Sequence, residues 1–247
     1  MNLLQNRPVR SARPEKGERI YVIGDVHGRN DLLQILLKRV VAHFPTLLPR
    51  PEKVTLLFLG DVIDRGPDSK RCLSRIRRLV ETANAKMLLG NHEDMMLASL
   101  DGNGGAQVAW MRNGGLETLK SYGITPPRED EDPFDFADRL KQGVPQKHID
   151  FLRTLDVSYS SGSYFFVHAG VKPGVSINKQ KREHLFSIRD EFTTSSKWHG
   201  QVVVHGHSIV SAVEVHENRI ACDTGAYASG TLSCVCLQDK MVSIITT

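Results

Sequence analysis

The stretch 19–28, Arg19-Ile20-Tyr21-Val22-Ile23-Gly24-Asp25-Val26-His27-Gly28, runs an apolar strand into a glycine and then directly into a carboxylate and an imidazole. The same design returns twice. Leu59-Gly60-Asp61-Val62-Ile63-Asp64-Arg65-Gly66 closes a β-rich run over 54–59, and Leu89-Gly90-Asn91-His92-Glu93 closes one over 86–89. Helical patterns lie between them. Leu32, Leu33, Ile35, Leu36, Val40 and Val41 give helical spacing over 31–44, a basic helix is predicted over 68–80, and another starts near His92. This β-α-β-α-β-α rhythm predicts parallel strands with right-handed crossovers. In a parallel sheet all three loops leave at one carboxyl edge. Asp25, His27, Asp61, Asp64, Asn91 and His92 are therefore expected to converge. A single such loop is often only a helix cap or a turn; three in consecutive units argue for a site.

The second half reads differently. Runs at 157–159 and 164–167 flank Ser160-Ser161-Gly162-Ser163, a hairpin signal. Short strands are expected at 201–204, 212–215, 219–222, 232–237 and 241–245, with tips at 216–218 and 238–240. This half is read as mostly antiparallel or mixed. Two sheets packed face to face with helices outside satisfy both halves, an α/β architecture. Val167-His168-Ala169-Gly170 and Val204-His205-Gly206-His207 also end strands in histidine and glycine. The segment 101–145 breaks the strand rhythm and is read as a helical insertion over the carboxyl edge of the sheet.

Composition narrows the classes. The chain has 247 residues, 40% hydrophobic and 24% charged, which excludes whole-chain disorder. No window approaches the ~18 apolar residues of a membrane span. The N-terminus lacks the apolar core of a secretory signal, so a soluble, cytoplasmic protein is expected. A net charge of +4 is too small to argue for nucleic-acid binding. Residues 1–18 are read as a flexible basic segment before a single domain at 19–247, and Arg7, Arg10, Arg13, Lys16 and Arg19 as a solvated tail. The four cysteines, Cys72, Cys222, Cys234 and Cys236, form no C-x-x-C pair and are read as buried thiols.

The collected side chains are carboxylate, imidazole and amide, with no thiolate. That set suits Mn²⁺, with Fe or Zn²⁺ as alternatives. It is large enough for two ions, which at a spacing of about 3.5–4 Å activate water and clamp a phosphoryl group. Asp61, in the middle loop, is the natural bridge. Fixed positive charge for the phosphoryl oxygens is expected from Arg65 and from Arg189, although Arg189 could equally pair with Asp190 or Glu191. His92 with Asp64 is the candidate proton donor for the leaving oxygen.

Gly-Asp-x-His-Gly at 24–28, Gly-Asp-x-x-Asp-Arg-Gly at 60–66 and Gly-Asn-His-Glu at 90–93 resemble the three signature blocks of PPP-type metallophosphoesterases. That family includes serine/threonine protein phosphatases, bacteriophage lambda phosphatase and bacterial diadenosine tetraphosphate hydrolases. Residues 188–192, 204–208 and Asp223-Thr224-Gly225 resemble its bacterial branch. The resemblance implies a calcineurin-like β-sandwich of two mixed sheets flanked by helices, with a dinuclear metal centre. By position, Asp25 and His27 bind the first metal, Asp61 bridges, and Asn91, His168 and His207 complete the second. It selects His207 over His205, because the family ligand follows the glycine. His92 with Asp64 matches the proton-donor pair, and Arg65 and Arg189 match phosphate-binding arginines. Leu89 departs from the arginine that many relatives carry before Gly-Asn-His.

The expected activity is metal-dependent hydrolysis of phosphomonoesters, with phosphoserine or phosphothreonine in proteins as the leading substrate and phosphotyrosine as a further one. The alternative is symmetrical hydrolysis of diadenosine tetraphosphate, with Trp110, Arg112 and Tyr122 as candidate base contacts. A catalytically silent binding protein of the same fold is the remote alternative. The sequence leaves the oligomeric state open.

Overall fold

The computed structural model describes residues 11–247. The chain order opens with β1 (Glu18–Ile23), α1 (Asn30–His43), β2 (Lys53–Phe58), α2 (Ser69–Thr82), β3 (Ala85–Met87) and α3 (Asn91–Leu100). Four helices follow: α4 (Gly104–Trp110), α5 (Leu116–Tyr122), α6 (Pro133–Gly143) and α7 (Gln146–Arg153). A π-helical turn, Met111–Gly115, joins α4 to α5. The remainder is β4 (Ser158–Ser161), β5 (Tyr164–Val167), α8 (Arg182–Ser187), α9 (Asp190–Thr193), β6 (Val202–His205), β7 (Glu214–Val215), β8 (Arg219–Ala221), α10 (Ala226–Ser229), β9 (Ser233–Gln238) and β10 (Met241–Thr246).

The strands form two mixed sheets ordered β10-β9-β1-β2-β3 and β4-β5-β6-β8-β7. β1, β2 and β3 are parallel, so the three Gly-Asp/Asn loops do leave one edge. Period-two alternation then sorts β1. Ile20 and Val22 face the second sheet and pack with Leu57, Tyr164, Phe166, Val204 and Ile220. Tyr21 and Ile23 face the helical layer, with Leu33 and Leu36 of α1 and Leu73 and Ile76 of α2. On the far side of the second sheet, Phe165, Val167 and Val203 pack against Leu185, Ile188 and Phe192. Strands covered on both faces read as unbroken apolar runs, as these do.

The second half is mixed, in line with its reading from the sequence, and its strands divide between the two sheets. The strands of the second half do not stay together: β9 pairs antiparallel with β1, and β10 with β9, so the C-terminal hairpin completes the first sheet. β5, β6 and β8 are parallel neighbours, with antiparallel β4 and β7 at the edges. The flexible basic segment expected over 1–18 needs correction over the described residues 11–18. Arg7 and Arg10 lie outside the described residues. Ala12 and Pro14 are buried, the Arg13 carbonyl accepts from Ser163 N–H at 2.8 Å, and Glu15 N–H donates to Ser161 Oγ at 2.9 Å. The backbone groups of Arg13 and Glu15 thus find partners on the β4–β5 hairpin, which holds residues 12–15 against it.

Arg19 is likewise no tail residue. It is fully buried, donating from Nε to Gln238 Oε1, from Nη1 to the Phe44 carbonyl at 2.7 Å and from Nη2 to the Leu47 carbonyl at 2.9 Å. It ties the loop after α1 to the first sheet. Arg19→Met keeps the chain length and strands these acceptors, so it is expected to cost about 2–4 kcal/mol in urea denaturation. An unchanged midpoint would contradict the assignment.

Candidate metal centre

The loops after β1, β2 and β3 are knitted backbone to backbone. The Asp61 carbonyl accepts from Val26 and His27 N–H, and the Val62 carbonyl from Gly28 N–H at 2.8 Å. Loops two and three meet closely: a Cβ on Gly60 would lie 2.6 Å from Gly90 N, so only glycine fits there. Glu93, buried at the start of α3, then gathers the backbone. Its carboxylate accepts from Asp61 N–H and Val62 N–H at 2.8 Å each, from Ile63 N–H at 3.2 Å and from Gly90 N–H at 3.1 Å. Burial, with Asp61 adding to it, pushes the Glu93 carboxyl up to about 7.

Strain concentrates here. Six non-glycine residues among those described have positive φ, and five of them are His27, Asp61, Asp64, Arg65 and His207. Such conformations cost of order 1–3 kcal/mol each and persist only where the surroundings over-determine them.

Two groups of donors emerge among the described residues, His27 with Asp61 and His92, and Asp61 with His168 and His207. Asp61 belongs to both, the position of a bridge. His27 Nε2 and His168 Nε2 lie 3.7 and 3.3 Å from Asp61 Oδ2. Asn91 Oδ1 lies 2.8 Å from His168 Nε2. Asp25 is buried beside them and accepts the His207 N–H at 3.1 Å. His207 and not His205 enters the cluster; His205 packs its ring edge on Phe192.

The donor chemistry fits a cation. His27 Nδ1 donates to the Ile63 carbonyl at 2.8 Å and His168 Nδ1 to the Leu59 carbonyl at 3.0 Å. Each bond fixes the ring and turns the Nε2 lone pair inward. His168 Nε2 then faces only acceptors, Asn91 Oδ1 and Asp61 Oδ2, so a proton or a metal ion must sit among them. Without a metal it is the proton: against burial, Asp61 holds His168 above its ordinary value. His207 Nε2 is buried with no hydrogen-bond partner, and burial pushes both His27 and His207 down to about 3, which leaves neutral ligands. Burial, then Asp223 and Asp61, drive Asp25 well up. Crowded buried carboxylates are the arrangement a cation relieves.

Arg65 Nη1 and Nη2 lie 3.1 Å from His27 Nε2 and His92 Nε2. His92 Nδ1 bonds Asp64 Oδ2 at 2.6 Å. Burial works against the His92 imidazolium, but Asp61 and Asp64 lift it above its ordinary value, and burial also lifts Asp64. The pair therefore retains a proton. Arg189 is exposed just before α9, and its charge helps hold His207 down. No carboxylate among the described residues pairs with it, whereas Glu191 faces Lys172.

Three residues escaped the sequence reading. Glu93 was within a quoted block but had no role; its place three residues after a helix cap signals a reach back to the loop. Asp223, also in a quoted block without a role, follows β8 by two residues, and its carboxylate accepts from Gly225 N–H at 2.8 Å. Tyr227 follows on α10, its ring centroid 4.8 Å from the Arg65 guanidinium carbon and 5.3 Å from the His27 ring; nothing in the local pattern signals it.

Glu93→Gln sets an amide NH₂ against converging N–H donors. It is expected to lower stability by about 2–4 kcal/mol in denaturant titration and to weaken metal binding. Asp61→Asn is expected to keep the fold but lose the rise in melting temperature that Mn²⁺ gives the wild-type chain; a wild-type response in that variant would rule out Asp61 as the bridge.

Comparison with known proteins agrees with this geometry. The calcineurin-like phosphoesterase family matches residues 18–234. An asymmetrical bis(5'-nucleosyl)-tetraphosphatase of Oceanobacillus iheyensis is 26% identical over 239 residues, covering 90% of each chain. Serine/threonine-protein phosphatase 2 of Salmonella typhimurium is 29% identical over 223 residues, 87% of this chain and 90% of its own. Among solved structures, a cold-active protein-tyrosine phosphatase of a psychrophilic Shewanella superposes with a TM-score of 0.56 at 15% identity, over 95% of this chain and 83% of its own. That likeness shows the fold. With its family match running through all three loops, the chain belongs to the calcineurin-like phosphoesterases.

Proposed function

We propose that this enzyme hydrolyses phosphomonoesters of serine and threonine in proteins, with two divalent ions, manganese first among them. The observation that carries the substrate class is the His92–Asp64 pair at 2.6 Å. A serine or threonine alkoxide is a poor leaving group and needs a proton as the bond breaks. A nucleotide leaving from a polyphosphate departs as a stabilised phosphate anion and needs none.

Asp25, His27 and Asp61 would hold one ion, and Asp61, Asn91, His168 and His207 the other. The ions would supply an activated water and neutralise charge on the phosphoryl oxygens. Arg65 turns from His27 and His92 to those oxygens, with Arg189 opposite, and their planar guanidinium groups suit paired contacts. With Arg65 no longer donating to it, His92 Nε2 is free to take up a proton and give it to the leaving oxygen, while Asp64 keeps the ring oriented.

The second reading, hydrolysis of a dinucleoside tetraphosphate, is favoured by the Oceanobacillus relative named for that activity. Its expected base contacts need correction. Trp110 is fully buried with its indole N–H on Asp64, and Tyr122 is buried with its hydroxyl on His148 at 2.8 Å. Neither face is open to an adenine; of the three, only Arg112 is exposed.

Metal-stripped protein restored with Mn²⁺ is expected to turn over a phosphothreonine peptide faster than diadenosine tetraphosphate at matched concentration. The reverse order moves the enzyme to nucleotide hydrolysis. His92→Asn is expected to slow phenyl phosphate by about 100-fold and p-nitrophenyl phosphate far less; equal losses would count against its role as the acid.

A further inference from the structure

The leaving-group step proposed above depends on His92, and the structure shows what holds its partner. Asp64 is fully buried. Its Oδ2 accepts from His92 Nδ1 at 2.6 Å and from Trp110 Nε1 at 2.9 Å, and its Oδ1 from Thr118 Oγ1 at 2.5 Å and from Trp110 Nε1 at 3.0 Å. The backbone is held as well. Asp64 N–H is shared between Ser69 Oγ at 3.0 Å and Thr118 Oγ1 at 2.9 Å, and Arg65 N–H donates to the Gly114 carbonyl at 3.2 Å. Trp110, Gly114 and Thr118 all come from segment 101–145. Gly114, at φ 104, fits because a Cβ there would lie 2.9 Å from Arg65 N.

A lone carboxylate turns freely about its last torsion. Here the indole N–H straddles both oxygens and the threonine hydroxyl fixes which one faces it. We propose that Trp110 and Thr118 are positioning residues for proton transfer: they lock the Asp64 carboxylate so that Oδ2 aims at His92 Nδ1, and thereby aim His92 Nε2 at the leaving oxygen. The insertion is then a working part of the site. In the step it serves, the oxygen of water bonds to phosphorus as the bond to the leaving oxygen breaks. The bonding pair goes to that oxygen with the Nε2 proton of His92, and the proton lost by the attacking water restores the imidazole. The inference rests on the acid role of His92.

The test uses Trp110→Phe and Thr118→Val, with Thr118→Ser as the conservative variant, all loaded with Mn²⁺. Both disruptive variants are expected to lose about tenfold in kcat/KM on phenyl phosphate and much less on p-nitrophenyl phosphate, with Thr118→Ser near wild type. Where one disruptive variant fails to fold, the other carries the test. A second readout needs no metal: the downfield proton NMR signal of His92 Nδ1–H should shift or broaden in the disruptive variants and persist in Thr118→Ser. Equal losses on both esters with an unchanged signal overturn the inference. His92→Asn run alongside separates the failures, since equal losses there remove the acid role itself and this inference with it.

Discussion

The Glu93 carboxylate, accepting from Asp61, Val62, Ile63 and Gly90 N–H, is the contact on which the site depends. It lies at the start of α3 and pulls the second loop onto the third. Without it, four backbone donors would be buried with no acceptor, and each would cost about 1–3 kcal/mol. The contact also explains why the loops are glycine-rich. Backbones this close leave no room for a Cβ at Gly60 or Gly90.

The same knitting sustains strain. His27, Asp61, Asp64, Arg65 and His207 adopt left-handed backbone that their side chains disfavour. Each projects a polar side chain into one small volume, where regular strand or helix geometry would splay them apart. Burial then keeps His27 and His207 neutral and crowds Asp25 against Asp61 and Asp223. A fold that gathers carboxylate, imidazole and amide donors in one buried volume is preorganised for cations.

The core of the fold was legible because β1, β2 and β3 alternate with helices and each ends in glycine and a ligand type. Convergence followed from parallel direction alone. The partner of β1 on its other side was not legible: β9 is as apolar as β6, and strand pairing across more than 200 residues leaves no local mark. Arg19 misled for a related reason, since a buried arginine is recognised only by distant acceptors such as Gln238. Trp110 read equally as base contact or core, and what resolves it is the Asp64 carboxylate 46 positions earlier. His207 needed the family pattern to be separated from His205; in the fold, the turn at Gly206 sends the two rings to opposite sides.

The central claim is that three loops from the parallel core of the first sheet and two loops after β5 and β6 of the second assemble one two-ion site around Asp61. Crystals grown with Mn²⁺ and measured for anomalous scattering test it most directly. The account predicts two peaks per chain, both within bonding distance of Asp61, with His27 on one and His168 and His207 on the other. A single peak, or two peaks that do not share Asp61, would contradict it.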